Sequence, residues 1–423
     1  MKPFSTLIAL PLLGIAAGVQ AGGVSLYEVG QEDMGLANAG AAARAQDPSV
    51  LMSNPAGIAN LEGTQINLAG QLVLGHLRFD RDGDNTTSGN EGGNALDALP
   101  GSSFFISHQL DDRATIGFGM YGNFGLALNY DDDWAGRYFV QDTALLGISF
   151  QPTFAYRFTD DLAVGIGPRL MYGVFRSEMA IDNNPLGFGD QPDGQLEYRS
   201  HDWGAGVNAG LLYSLSPGTR LGLAYTSKID LQFEDRPSLD GIDNPILEVS
   251  LRRLAADQLS IDMRVPQSVI ASLYHELNPE WTLLASAGWQ DWSEFGKMSI
   301  DIDGQNPQGL TADRRYKDTW HLSLGAQRHL SPRLRWNMGL AYDSSAVDDE
   351  DRTVDNPMAE TWRLATGFNY RLDEGLDLNV SYALVWLGDM EVDQQKRVSG
   401  KRVSGEYSNS ALHILGGGVI WRF

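Results

Sequence analysis

The sequence predicts an all-β protein: a transmembrane antiparallel β-barrel of about fourteen strands, with an N-terminal helical hatch in its lumen. Three observations carry this prediction. An export signal opens the chain, apolar residues recur with a period of two, and the connections alternate between short and long. Composition agrees. Of 423 residues, 43% are hydrophobic and 20% charged, too apolar for a disordered chain. The absence of cysteine removes disulfides, thiolate metal sites and thiol catalysis. The net charge of −23 argues against nucleic acid as a partner, because phosphate binding needs clustered Lys and Arg.

The export signal comes first. Lys2 gives a positive start, Leu7 to Val19 is an apolar run broken by Pro11 and Gly14, and Val19-Gln20-Ala21 suits signal peptidase. Residues 1–21 are therefore expected to be a signal peptide; an anchor helix is the alternative, but the run is short for a span. No later stretch has the roughly 18 apolar residues of a membrane helix. The mature chain is then soluble, or it spans as a barrel.

Strand periodicity follows. Trp281, Leu283, Ala285, Ala287 and Trp289 share one face; Trp362, Leu364, Thr366, Phe368 and Tyr370 share another. Short polar turns fall at 110–113, 159–161, 216–218, 278–280, 331–333 and 373–375. Longer Gly- or Asp-rich stretches fall near 80–100, 127–143, 182–196, 234–262, 304–315, 346–357 and 393–406. Six turns and seven loops make about fourteen strands, an even number with the asymmetric rims of outer-membrane barrels. A secreted β-sandwich also alternates, but has no reason to alternate loop lengths. Trp281, Trp320, Trp336, Trp362 and Trp421 sit at strand ends, as interface belts require. The last strand closes on Phe423, with Trp421, Val419 and Leu415 on its face.

Residues 22–60 do not alternate. Leu36 to Ala45 is rich in Ala and Gly and suits a short packed helix. Asp47-Pro48-Ser49 can start another, and Asn54-Pro55-Ala56-Gly57 reads as a turn. The segment has the size of a plug for the lumen, with a periplasmic surface helix as the alternative. The division is then a hatch over 22–60 and a barrel over 61–423.

On these residues the chain resembles a known family. Tyr27-Glu28, Met34 to Gly40, Asp47-Pro48-Ser49 and Asn54-Pro55-Ala56-Gly57 are similar to the hatch of the long-chain fatty-acid outer-membrane transporters (FadL/TodX-like), which include toluene- and xylene-type channels. Further matching blocks are Asn123 to Leu126 with Trp134 to Phe139, and Val265 to Ser268 with Trp289 to Phe295. The resemblance implies a monomeric barrel in the Gram-negative outer membrane that moves hydrophobic molecules passively, long-chain fatty acids first. It implies that Asn54, Pro55, Ala56 and Gly57 shape a hatch gate. It also implies an opening at a kinked third strand, placed at Ala114 to Phe124, where Gly117, Gly119, Gly122 and Gly125 can bend the chain or simply fit a crowded lumen. Phe118, Tyr121, Gly122 and Phe124 are expected along the substrate pathway. Arg137 suits a substrate carboxylate, or equally a structural ion pair.

The residues themselves favour an oily cargo. Opposite Phe423 on the last strand lie Arg422, Ile420 and Ile414 rather than a charged row. Ile242 to Val265 is apolar for a loop and suits an external greasy groove of short helices, or packing against another loop. The alternatives in function are a general diffusion porin, a hydrocarbon-specific channel, and a structural or adhesive barrel. An enzyme is not expected. His321 and Ser323, two apart on a strand, share a face directed into the lumen, but no carboxylate partner is assignable. No cofactor and no metal site are implied. The acidic runs at 80–84, 131–133 and 348–351 read as solvated loop charges near membrane lipid and lipopolysaccharide, where divalent ions can bridge carboxylates to anionic lipid.

Overall fold

A computed structural model describes residues 29–96, 98–184, 191–244, 247–249, 258–302, 310–396 and 399–423. The expected signal peptide and the first hatch residues lie outside the described residues, as do parts of the long loops.

Fourteen strands close into one antiparallel barrel. They are β1 (Thr64–His76), β2 (Leu99–Gln109), β3 (Ala114–Asn129), β4 (Asp142–Arg157), β5 (Leu162–Ile181), β6 (Gly194–Ser216) and β7 (Thr219–Thr226). The second half is β8 (Ser268–Glu276), β9 (Trp281–Gln290), β10 (Thr319–Ser331), β11 (Leu334–Asp343), β12 (Thr361–Arg371), β13 (Leu376–Gln395) and β14 (Arg402–Arg422). Each pairs with its sequence neighbour, and β1 pairs with β14 from Gln65↔Arg422 to His76↔Ala411. The six expected turns are the short connections and the seven expected loops the long ones. Closure satisfies the backbone amides that lipid cannot.

The period of two decides what faces lipid. In β10, Trp320, Leu322 and Leu324 are 58%, 54% and 66% exposed, while His321 and Ser323 are buried inside. Trp281, Trp336 and Trp421 lie at the short-turn rim, and Trp320 and Trp362 at the long-loop rim, one belt for each interface. β5, β6, β13 and β14 run 20, 23, 20 and 21 residues. A tilted strand needs only about 9–11 residues to cross, so these strands continue outward and carry the loops.

The loop read over 234–262 is more ordered than its Asp content suggests. Ile229–Asp235 pairs with Leu259–Val265, which pairs with Lys297–Ile302, and that with Leu310–Asp313, making a separate four-stranded sheet. Leu231, Phe233, Ile261 and Met263 alternate into the apolar core of the loops, beside Phe175. Of the stretch 242–265, residues 245–246 and 250–257 lie outside the described residues; 247–249 is helical.

Residues 29–61 pack inside the barrel. The expected helix over Leu36 to Ala45 does not form. Helix α1 is Gln31–Gly35, and Ala37, Asn38, Gly40 and Ala45 have φ of 49°, 65°, 74° and 47°. Left-handed backbone at these positions stops a right-handed helix. Helix α2 (Val50–Ser53) follows, then a 3-10 turn at Pro55–Asn60. The hatch backbone lies directly on the wall, which explains glycines there. A Cβ on Gly222 would stand 1.9 Å from the Ala42 carbonyl oxygen, and one on Gly339 2.1 Å from that of Leu36.

Candidate functional site

A buried ion cluster holds the hatch together. Arg44 lies 3.1 Å from Asp33, 2.8 Å from Asp47 and 3.4 Å from Glu32. Asp47 also accepts from the Ser49 amide at 2.9 Å and from Asn67 of β1 at 2.7 Å, and Glu32 reaches Arg335 of β11. A buried charge is stable only when paired in this way.

The Asn54-Pro55-Ala56-Gly57 turn fixes the hatch to β5 and β6. Asn54 donates to the Ala42 carbonyl at 2.6 Å and to the Leu211 carbonyl of β6 at 2.9 Å, and accepts from the Ala56 amide at 3.0 Å. Pro55 needs no donor at the first helical position. The Pro55–Ala56 peptide lies over Gly165 of β5, where a Cβ would stand 2.3 Å away, and Gly57 lies against Val50.

The third strand is broken by a bulge. Gly122 pairs with Ile148 and Phe124 with Gly147, so Asn123 is an extra residue. Before the bulge, Thr115, Gly119 and Tyr121 are buried, whereas Ile116 and Met120 are exposed. Phe118 shares the parity of the exposed pair and lies on the outer face beside Phe104, at 6.5 Å between ring centroids. It is therefore not on an inner pathway. Tyr121 and Phe124 both face inward, because the extra residue resets the alternation. Gly117 and Gly119 fit a crowded lumen: Cβ atoms there would come within 3.1 Å of Ile58 and 2.7 Å of Leu51. At Gly122 a Cβ would meet nothing within 4 Å.

Next to the bulge the wall parts. β2 and β3 pair only from Phe104↔Met120 to Gln109↔Thr115. Leu99 to Ser103 have no partner in β3, and Tyr121 to Asn129 none in β2. The gap is bounded on the loop side by the Asn129 amide, which donates to Ala95 at 2.8 Å.

Behind the bulge lies a cavity of about 160 Å³. The hatch contributes Asn38, Met52 and Ser53 to it, and β3 contributes Asn123 and Phe124; β5 gives Arg169, and Ile270, Gly288 and His321 lie across the lumen. Tyr121 donates to Gln151 at 2.5 Å, and Gln151 donates to the Leu51 carbonyl at 2.8 Å, so the bulged strand and the hatch share one hydrogen-bonded chain. Arg169 is 5% exposed and, among the described residues, has neither ion pair nor hydrogen bond; its buried Nε is unpartnered. Sequence reading missed it, although a lone Arg on the inward parity of Met171 and Phe175 was a usable signal.

Arg137 lies elsewhere, in the loop between β3 and β4. It pairs with Asp193 at 2.7 Å and donates to the Ser88 carbonyl at 2.7 Å, away from the residues lining the cavity. Close by, Lys396 sits 5.3 Å over the Phe139 ring; burial pushes its ammonium down to about 8, against the pull of Asp355.

Residues 12–423 match the family model described as outer membrane protein transport protein (OMPP1/FadL/TodX). The chain is 26% identical to outer membrane protein P1 of Haemophilus influenzae, over 95% of this chain and 94% of that protein. It is 25% identical to the long-chain fatty acid transport protein of Escherichia coli K12, over 89% and 90%. In fold it is similar to a FadL homologue of Pseudomonas aeruginosa, with a TM-score of 0.85 at 20% identity over 95% of this chain and all of that one. It is also similar to the toluene transporter TodX of Pseudomonas putida, with a TM-score of 0.67 at 17% identity over 94% and 99%. With a closed barrel, a filled lumen and a match across almost its whole length, the chain belongs to the OMPP1/FadL/TodX family of outer-membrane proteins that transport hydrophobic molecules.

Proposed function

We propose that the cargo is a long-chain fatty acid, taken into the cavity behind the β3 bulge with its carboxylate on Arg169 and released sideways between β2 and β3. The observation that carries this reading is the solitary Arg169. An unpaired buried guanidinium costs several kcal/mol, and a carboxylate guest removes that cost through charge-assisted hydrogen bonds. The long-chain fatty acid transport protein of E. coli, related along most of the chain, supports the same cargo. On this reading Asn54, Pro55, Ala56 and Gly57 hold the gate, and Tyr121, Gly122 and Phe124 border the exit.

A hydrocarbon channel is the second reading, and cavity size favours it: an apolar cavity of about 150 Å³ accommodates benzene. Equilibrium binding to the purified barrel separates the two. Palmitate is expected to bind with saturation, and Arg169→Met to weaken it by roughly 10- to 100-fold, the worth of about 1.5–3 kcal/mol for a hydrogen bond to a charged group. If hexadecane or toluene binds as tightly as palmitate and Arg169→Met changes neither, the fatty-acid reading fails and the hydrocarbon reading replaces it. A diffusion porin needs a wet bore, and the buried Leu36, Val50, Leu51 and Ile58 of the hatch argue against one.

A further inference from the structure

On the wall opposite Arg169, three side chains meet that transport does not require. His321 and Ser323 of β10 share the inward face, and Asp343 closes β11 directly across from His321. His321 Nδ1 lies 2.8 Å from Asp343 Oδ1, and His321 Nε2 lies 3.2 Å from Ser323 Oγ. The other carboxylate oxygen of Asp343 accepts from Arg363 Nε at 3.1 Å and from the Thr361 hydroxyl at 3.4 Å. Nucleophile, base and orienter are thus in sequence, with the orienter itself held. His321 lines the same cavity as Arg169.

We propose that Ser323, His321 and Asp343 form a hydrolytic triad in the lumen that cleaves carboxylic esters carried on hydrophobic chains. Ser323 Oγ attacks the ester carbonyl carbon while His321 Nε2 takes its proton. The tetrahedral intermediate collapses with cleavage of the C–O bond, and His321 returns the proton to the departing alkoxide, which leaves as the alcohol. Water then attacks the acyl-serine, again giving its proton to His321. The acid departs as Ser323 recovers its hydrogen. Asp343 keeps the Nδ1 proton in place and stabilises the imidazolium. The acid released meets Arg169 in the same cavity.

The hatch covers the nucleophile. Ser286, the cross-strand partner of Ser323, accepts from the Gly40 amide at 2.9 Å and donates to the Asn38 carbonyl at 3.1 Å. Reaction at Ser323 therefore rises when the hatch shifts. Displacement is obtained with Gly222→Ala, whose new methyl collides with the Ala42 carbonyl.

The test treats full-length protein in detergent with a long-chain alkyl fluorophosphonate, and separately with p-nitrophenyl palmitate. Peptide mass analysis is expected to find the phosphonyl group on Ser323, with more of it in Gly222→Ala. His321→Gln is expected to slow ester turnover by roughly 10²- to 10⁴-fold, the contribution of a general base, and Ser323→Ala to abolish labelling. Heat-modifiable gel migration checks that each variant is folded. No adduct on Ser323 in either wild type or Gly222→Ala, or turnover unchanged by Ser323→Ala, overturns the proposal and leaves the three as a polar brace between β10, β11 and β12. Palmitate binding is measured apart, so the failure of one reading is not read as failure of the other.

Discussion

The β13–β14 seam and the β2–β3 seam belong to one wall and are built in opposite ways. β13 and β14 pair at eighteen register positions, from Leu376↔Trp421 to Gln395↔Arg402. β2 and β3 pair at six and then part, although β3 runs on to Asn129. Asn123 disrupts the ladder on one side of the gap, and on the other Pro100 has no N–H to offer. Unsatisfied backbone groups in lipid cost several kcal/mol each, so a parted seam persists only with protein behind it. Tyr121 stacks on Phe105 at 5.6 Å and is tied through Gln151 to the hatch. The contrast teaches that the wall is weak at one place, and that the plug is attached to that place.

The strongest way to break the contrast is to heal the weak seam. Deleting Asn123 brings Gly122 and Phe124 into consecutive register against Ile148 and Gly147. The strand then straightens, and pairing with β2 extends past Phe104. Fatty-acid uptake by cells carrying the variant is expected to fall at least about tenfold, equivalent to roughly 1.4 kcal/mol on the barrier, while palmitate binding to the purified barrel persists. Uptake at the wild-type rate would show that cargo leaves by another route.

Two glycine-to-alanine changes separate hatch from wall. Gly222→Ala forces the Ala42 carbonyl away from a contact of 1.9 Å, so the hatch must lift. Amide exchange across residues 36–47 is expected to quicken, and ion conductance in a planar bilayer to rise. Gly122→Ala meets open space and is expected to change stability by less than about 0.5 kcal/mol. Similar exchange rates in the two variants would contradict the close packing on β7. A smaller effect tests the link between the regions. Gln151→Leu strands the buried Tyr121 hydroxyl and leaves the Leu51 carbonyl only the longer bond from Asn208, at 3.4 Å, a cost of about 1–3 kcal/mol, and exchange at residues 50–53 is expected to quicken without loss of the barrel.

The wall was legible because its signals are local. Asp111-Asp112, Pro217-Gly218 and Asn278-Pro279 fix turns by their own chemistry, and parity along β10 fixes which face Trp320 presents. The hatch was legible as a segment but not as a shape, since left-handed backbone at Ala37 and Asn38 comes from packing on the wall. Phe118 was misplaced because one residue of parity decides the face, and only cross-strand register fixes it. Asp343 could not be joined to His321, nor Arg169 seen as solitary, because each fact depends on which strands become neighbours. Pro100 was the overlooked clue: proline inside a strand marks an edge.

The sharpest control lies in the strong seam, where no effect on uptake is expected. β13 and β14 also carry irregularities, with register shifts on either side of Gly388. Gly388 has φ +72°, and a Cβ there would meet only the Trp386 indole nitrogen, at 3.5 Å. Alanine is therefore penalised by backbone strain alone, about 1–2 kcal/mol for a left-handed residue. Gly388→Ala is expected to lower the thermal midpoint of the barrel slightly and leave uptake unchanged, because pairing continues on both sides of the bulge. Should uptake fall as far as it does without Asn123, any bulge would disturb transport and the β2–β3 gap would have no special role. Should only stability move, the gap rather than the irregularity is what the cargo uses.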